Sequence, residues 1–260
     1  MLQNEGYSRK QHLNRLKSRY KFNLILYICN HIQFLMKFTY QLFIFFLVCL
    51  SASCSKWEET PVISRLQLVN AYPDVTSLNF SINSDVDTSL NFGSSTNYKP
   101  LRAGRSTLQV SIGANPIASG DLYFAENNNY SLYILKGRNN ADSLFIRTDS
   151  LPVPEVGRAK IRFANLSPAV EGIGLSMIAI GPNKDTLALP ARTFPNFTPF
   201  ITIDAAQGYR LSLLRDRVAV ATISTQALES ERSYTIIASG YASLPPGNPR
   251  GLTLRVIENR

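Results

Sequence analysis

The sequence predicts an all-β protein: two tandem antiparallel β-sandwich modules behind an N-terminal leader. Three observations carry this. Apolar residues recur with period two in segment after segment, no stretch of comparable length shows helical periodicity, and turn-forming residues punctuate the segments. A fixed order of landmarks also appears twice along the chain, as tandem copies of one module require.

The leader comes first. Leu42–Leu50 are nine consecutive apolar residues, short of the roughly 20 that cross a bilayer but suited to the apolar core of a signal peptide. Met36-Lys37 directly upstream supply a short basic start, which makes Met36 a candidate initiator and residues 1–35 an extension ahead of it. A membrane anchor is the rival, because Phe22–Ile28 lengthens the apolar zone; Asn30, His31, Gln33, Lys37 and Gln41 interrupt it and favour a cleaved signal. Ser51-Ala52-Ser53-Cys54 resembles the lipobox of bacterial lipoproteins, departing from it at Ser51, where the pattern prefers Leu. That resemblance implies diacylation of Cys54, cleavage before it, and residues 1–53 as leader. A diacylated and N-acylated cysteine carries the two or more chains that stable membrane attachment needs.

Composition divides at the same place. Of 27 Lys/Arg and 18 Asp/Glu, seven and one lie in the first 54 residues, so only +3 of the formal +9 belongs to the remaining 206 residues. A nucleic-acid partner thereby loses its electrostatic footing. All three cysteines (Cys29, Cys49, Cys54) and both histidines (His12, His31) also lie in the first 54 residues. Beyond Cys54 the chain therefore has no disulfide, no Cys/His metal site, and neither Ser-His-Asp nor Cys-His catalysis.

Residues 54–63 read as a polar tether, and 64–150 as the first module. Ser64–Asn70 and Ser77–Asn83 alternate apolar and polar residues, which predicts strands buried on one face only. Thr107–Ile112, Asp121–Phe124, Tyr130–Lys136 and Ser143–Thr148 follow, separated by Ala103-Gly104, Asn115-Pro116 and Asn127–Asn129. About seven short strands in roughly 85 residues suit a sandwich. Leu151–Gly157 breaks the rhythm with two prolines and reads as a linker of residues 151–157. Limited proteolysis is expected to cut there first and to release two resistant modules.

Residues 158–260 repeat the plan. Lys160–Pro168 echoes Arg65–Pro73, Phe194–Phe200 stands where Phe92–Tyr98 stood, and Gly208, Tyr234 and Gly240 match Gly104, Tyr130 and Gly137. The closing strand Leu252–Arg255 matches Leu144–Arg147, with insertions around Gly181–Asp185 and Gly247–Arg250. One large sandwich spanning both copies is the alternative arrangement.

The landmarks carry a resemblance. Asn70-x-x-Pro73-Asp74, Phe92-Gly93-x-x-Thr96-Asn97-Tyr98, Leu101-x-Ala103-Gly104 and Asn129-Tyr130-Ser131-Leu132-Tyr133 are similar to the domain-of-unknown-function family numbered 4397. The second copy departs at Ala169 for Asp74 and at Phe194-Pro195 for Phe92-Gly93. The resemblance implies an immunoglobulin-like sandwich in an extracytoplasmic, Bacteroidota-type lipoprotein; it implies no activity and no site residues.

Candidate chemistry is sparse. Asn83, Asp85 and Asp87 alternate oxygen ligands as a calcium loop begins, but no glycine follows and Ser94 stands where a bidentate Glu belongs, so a solvated turn is expected and no metal site. Paired carboxylates could serve a glycosidase, yet no spacing singles out a pair. Asp142-Ser143-Leu144, Asp149-Ser150-Leu151 and Asp185-Thr186-Leu187 resemble acceptor triplets for bacterial O-glycosylation. Tyr72, Tyr98, Phe197 and Phe200 fall at strand ends, where aromatics stack on sugars or anchor a partner when exposed and cap the sandwich core when not. Lys56 followed by Glu58-Glu59 resembles the signal that exports lipoproteins to the cell surface.

These readings point to a non-enzymatic envelope lipoprotein without cofactor, anchored at Cys54 in the outer membrane on its surface or periplasmic side. Its body would bind or display toward a glycan or protein ligand. The alternatives are a glycan-binding accessory of a polysaccharide-uptake system and a carboxylate-dependent glycoside hydrolase.

Overall fold

The computed structural model describes residues 62–83, 88–137, 141–151, 153–168, 174–245 and 247–260. Cys54 and the tether acids Glu58 and Glu59 lie outside these residues, as do Asp85 and Asp87. Residues 61–260 form one compact unit.

The first half contains β1 (Ile63–Ala71), β2 (Ser77–Ile82), β3 (Thr88–Asn91), β4 (Lys99–Arg102), β5 (Gly104–Ile112), β6 (Asn115–Phe124), β7 (Asn129–Lys136) and β8 (Asp142–Asp149). They make two sheets, ordered β4-β1-β7-β8 and β3-β2-β5-β6. The second half contains β9 (Arg158–Asn165), β10 (Leu175–Ile180), β11 (Thr186–Arg192), β12 (Asn196–Phe197), β13 (Ile201–Asp204), β14 (Ala206–Arg215), β15 (Val218–Leu228), β16 (Arg232–Ser239) and β17 (Thr253–Glu258). Its sheets run β12-β9-β16-β17, with β13 also on β9, and β11-β10-β14-β15. The strand order is the same in both halves, two sandwiches in tandem.

Each sandwich closes on its own core. Leu66, Leu68, Phe80, Leu108, Phe124 and Leu132 fill the first; Ile161, Phe163, Met177, Leu211, Leu213 and Ile236 fill the second. Most pairings are antiparallel, but β1 lies parallel to β7 and β9 parallel to β16. Alternation alone carries no sign of strand direction, so these two pairings leave no mark in the sequence. Two short strands, β3 and β4, flank the Phe92–Tyr98 motif and bring the first sandwich to eight. Asn115-Pro116, expected as a turn, opens β6 instead; an edge strand tolerates the missing proline N–H, and Gly113-Ala114 make the turn.

A second expectation is corrected. β1 is buried on both faces, from Leu66 to Ala71. Its second face, with Val69 and Ala71, packs with Tyr133, Leu135 and Phe145 against Ala164, Leu166, Phe194, Phe197, Ile237 and Ile257 of the second half. The sheets holding β1 and β9 therefore meet face to face, and the four sheets stack as layers. The alternation that placed Gln67 in solvent was right about the pleat and silent about a second sheet covering that side.

Candidate functional site

The residues carrying the motif do structural work, twice over. Asn70 Nδ2 donates to the Leu90 carbonyl and Asn165 Nδ2 to that of Arg192, both at 2.8 Å. The Oδ1 of each accepts the amide two residues on, Tyr72 N at 3.0 Å and Ser167 N at 3.1 Å. Thr96 Oγ1 accepts the Leu68 amide at 3.0 Å, as Thr198 Oγ1 accepts that of Phe163 at 2.8 Å. Tyr130 and Tyr234 each accept, on the hydroxyl, an amide five residues upstream, Ala125 N at 2.9 Å and Glu229 N at 3.0 Å. That last contact is the corner-tying tyrosine of immunoglobulin-type sandwiches.

The seam between the sandwiches holds a buried polar network. Arg162, 1% exposed, makes an ion pair at 2.6 Å with Asp149, whose side chain is fully enclosed. The Arg162 Nε also donates to Thr235 Oγ1 at 2.8 Å. Asp149 Oδ2 further accepts from Ser131 and from the Tyr98 hydroxyl at 2.7 Å. Gln67, fully buried, donates to the carbonyls of Thr96 and Glu258, both at 2.9 Å, and accepts from Asn259 Nδ2 at 3.0 Å.

These contacts are reciprocal. Gln67 and Arg162 hold equivalent positions on β1 and β9, opposite Ser131 and Thr235 respectively. Asp149 and Asn259 close equivalent strands. Each half thus reaches from its central strand to the other half's last strand, as subunits do across a two-fold axis. A buried charge is tolerated only when paired and hydrogen-bonded, and this pair is both.

At the rim a second set of contacts joins the halves. The loop between β16 and β17 is long, and it brings Tyr241 and Arg250 onto Asp74, at the end of β1. Tyr241 Oη donates to Asp74 Oδ1 at 2.9 Å, and Arg250 pairs with the same carboxylate. Lys136 Nζ lies 3.5 Å from Asp74 and 2.8 Å from Asp142, and donates to the Tyr72 hydroxyl at 3.1 Å. Burial alone would raise the Asp142 carboxyl, but hydrogen bonds from Lys136 and Tyr72 outweigh it and hold the group below its usual range. Burial opposes the charge on Lys136 too, and the Asp142 and Tyr72 contacts overcome it and push the ammonium upward. Burial and Asp142 together raise the Tyr72 phenol.

Beside this latch opens a cleft of about 570 Å³. Pro73, Asp74 and Phe92 of the first half face Asn248, Arg250 and Arg255 of the second. Gly93, at φ +80°, lets Arg255 lie across the turn; a Cβ there would come within 2.8 Å of the guanidinium Nε.

Of the four aromatic candidates, Tyr98, Phe197 and Phe200 gather around the Arg162–Asp149 pair, and Tyr72 does not join them. Tyr72 is buried at the edge of the first core. Phe197 is buried in the seam, stacked on Phe145 at 5.6 Å and covered by the Arg147 and Arg162 guanidiniums. Half-buried Phe200 lies under Arg162 at 4.6 Å, and burial beside Asp149 raises the Tyr98 phenol. Asn83, at φ 52°, bonds to β5, with Oδ1 accepting the Thr107 amide and Nδ2 donating to Ser106 Oγ. Among the described residues no three His, Cys, Asp or Glu side chains converge as a metal site. Gln67, Arg162 and Asn259 escaped the reading by residue type, and Asp149 entered it only as part of an acceptor triplet; Val69, Ala71, Ala164 and Leu166 were the available signal.

The model of a domain of unknown function, DUF4397, matches residues 64–175. No curated protein sequence matches the chain. Among solved structures it is distantly similar to the tip fimbrial protein Mfa3 of Porphyromonas gingivalis, at 12% identity and TM-score 0.26, over 76% of this chain and 98% of that one. A candidate cell adhesion protein of Parabacteroides distasonis gives 9% and 0.23, over 76% and 100%. The Bacillus anthracis TIE protein gives 5% and 0.24, over 69% of this chain, which spans only 34% of that one.

Proposed function

Given that residues 64–175 carry a domain of the DUF4397 family, we propose that the protein is a non-enzymatic lipoprotein of the cell envelope whose two sandwiches act as one stiff body that binds or displays. The observation that carries this is the seam. Its buried Arg162–Asp149 pair and apolar contacts fix the halves against each other, so loops from both are held in a constant arrangement, as a binding platform requires. The lipobox-like Ser51–Cys54 supplies the attachment, and Lys56 with Glu58-Glu59 the address on the outer face.

Fatty-acid labelling in a bacterium that acylates such leaders tests the anchor. Label should enter the native chain, and Cys54→Ala should lose it and leave the membrane fraction. Unchanged labelling of the variant overturns the anchor. Surface exposure is read by protease digestion of intact cells. Glu58→Ala with Glu59→Ala should keep the protein membrane-bound and remove its accessibility; equal digestion of both forms rules out that address. A glycan ligand is the second reading, and the cleft at the seam rim is what favours it.

A further inference from the structure

We infer that the cleft between the two sandwiches binds a saccharide bearing a carboxylate, an inference that rests on the binding role proposed above. About 570 Å³ is the size of an ordinary small-ligand site, and sites of this kind gather at junctions between domains. Its charge is what selects the ligand. Asp74 is engaged by Arg250, Lys136 and Tyr241. Arg255 has no acidic partner among the described residues, so the cleft keeps an uncompensated guanidinium.

The Arg255 side chain is exposed at the cleft. Its stem lies across Gly93, where any side chain would displace it, and a guanidinium fork matches a carboxylate with two parallel hydrogen bonds. The remaining wall is suited to a sugar. Half-buried Phe92 offers an apolar face to a pyranose ring beside the buried Pro73, and the exposed Asn91 and Asn248 amides offer donors and acceptors to hydroxyls. An apolar platform, two amides and one unpaired cation together describe a uronate residue better than a neutral sugar or a simple anion.

The halves contribute unequally to this cleft. The first half supplies Asp74 and Gly93, and the second carries Ala169 and Pro195 at the corresponding places in the repeat.

The test is calorimetric titration of the purified full chain with trigalacturonic acid and, separately, with the neutral galactose trimer of the same linkage. The acidic trimer should bind, and the neutral one should bind at least about tenfold more weakly, as expected when a charge-assisted bidentate contact is lost. Arg255→Gln and Phe92→Ala should each weaken the acidic trimer by a similar factor, whereas Arg102→Gln, on an exposed strand outside the cleft, should leave it unchanged. If Arg255→Gln does not fold, Arg255→Lys keeps the charge without the fork and should still weaken binding severalfold. No binding of the acidic trimer, equal binding of the neutral one, unchanged affinity in the Arg255 variant, or binding only of an acidic peptide would each overturn the assignment. Acylation and surface exposure are measured independently, so a chain that is anchored but does not bind refutes the ligand alone, and one that binds without acylation refutes the anchor alone.

Discussion

Arg162 and Asp149 show how much depends on a pair at the residue scale. Arg162→Ala should cost about 3–5 kcal/mol, because it leaves the enclosed Asp149 carboxylate without its cation. Replacing both, as Arg162→Met with Asp149→Leu, should give a protein more stable than either single variant, since neither charge is then stranded. Urea denaturation of the native chain, Arg162→Ala, the singles Arg162→Met and Asp149→Leu, and the double variant checks this. The Lys136–Asp142 pair should appear as pH dependence. Asp142 is held below its ordinary 3.8, so its contribution is complete above that pH and is lost as acid carries the solution through the lower folded value. Lys136 is displaced upward from 10.5, so its contribution is complete below that pH and is lost in stronger alkali. Melting temperatures across pH should fall on both sides of that window, and Asp142→Asn should flatten the acid limb.

At the scale of single elements, the loop between β16 and β17 turns on Gly240. Its φ is +92°, and a Cβ there would overlap the Gly251 carbonyl oxygen. Gly240→Ala should therefore cost at least about 2 kcal/mol, from left-handed strain plus the clash, and should loosen Tyr241 and Arg250 from Asp74. Loss of protection of the Tyr241 amide in hydrogen exchange would report it. The strands themselves were largely legible in the sequence, because each half-buried segment alternates. So was the repeat, since Asn70 and Asn165, and Tyr130 and Tyr234, perform the same hydrogen bonding in each copy. What could not be read was which sheet covers Gln67. A glutamine on a strand looks alike whether its face meets water or another sheet. Asp74 and Arg250 are far apart in sequence, and nothing local announces that they meet.

At the scale of the whole molecule, the seam makes a sharp distinction between cutting and separating. Val153 and Val156, at 80% and 81% exposed, put the linker within reach of a protease, so cleavage there should be early. The two fragments should nonetheless elute together on gel filtration, because parting them would expose Tyr133, Phe145, Phe197 and Ile257 to water. Separate elution would mean that each sandwich stands alone. The unequal site was less legible than the fold for a related reason, since it belongs to neither copy but to the junction of both. The course of β1 has a mechanical consequence. The chain enters it at Ile63, from the side of the tether, and leaves it at Ala71, next to Pro73 and the cleft. Tension between an anchored N-terminus and a captured ligand would thus run lengthwise along this one strand. β7 grips it through seven paired residues on one flank and β4 through four on the other, so all the rungs would share the load at once in shear, and a pull would have to break them together where a peeling force could part them singly.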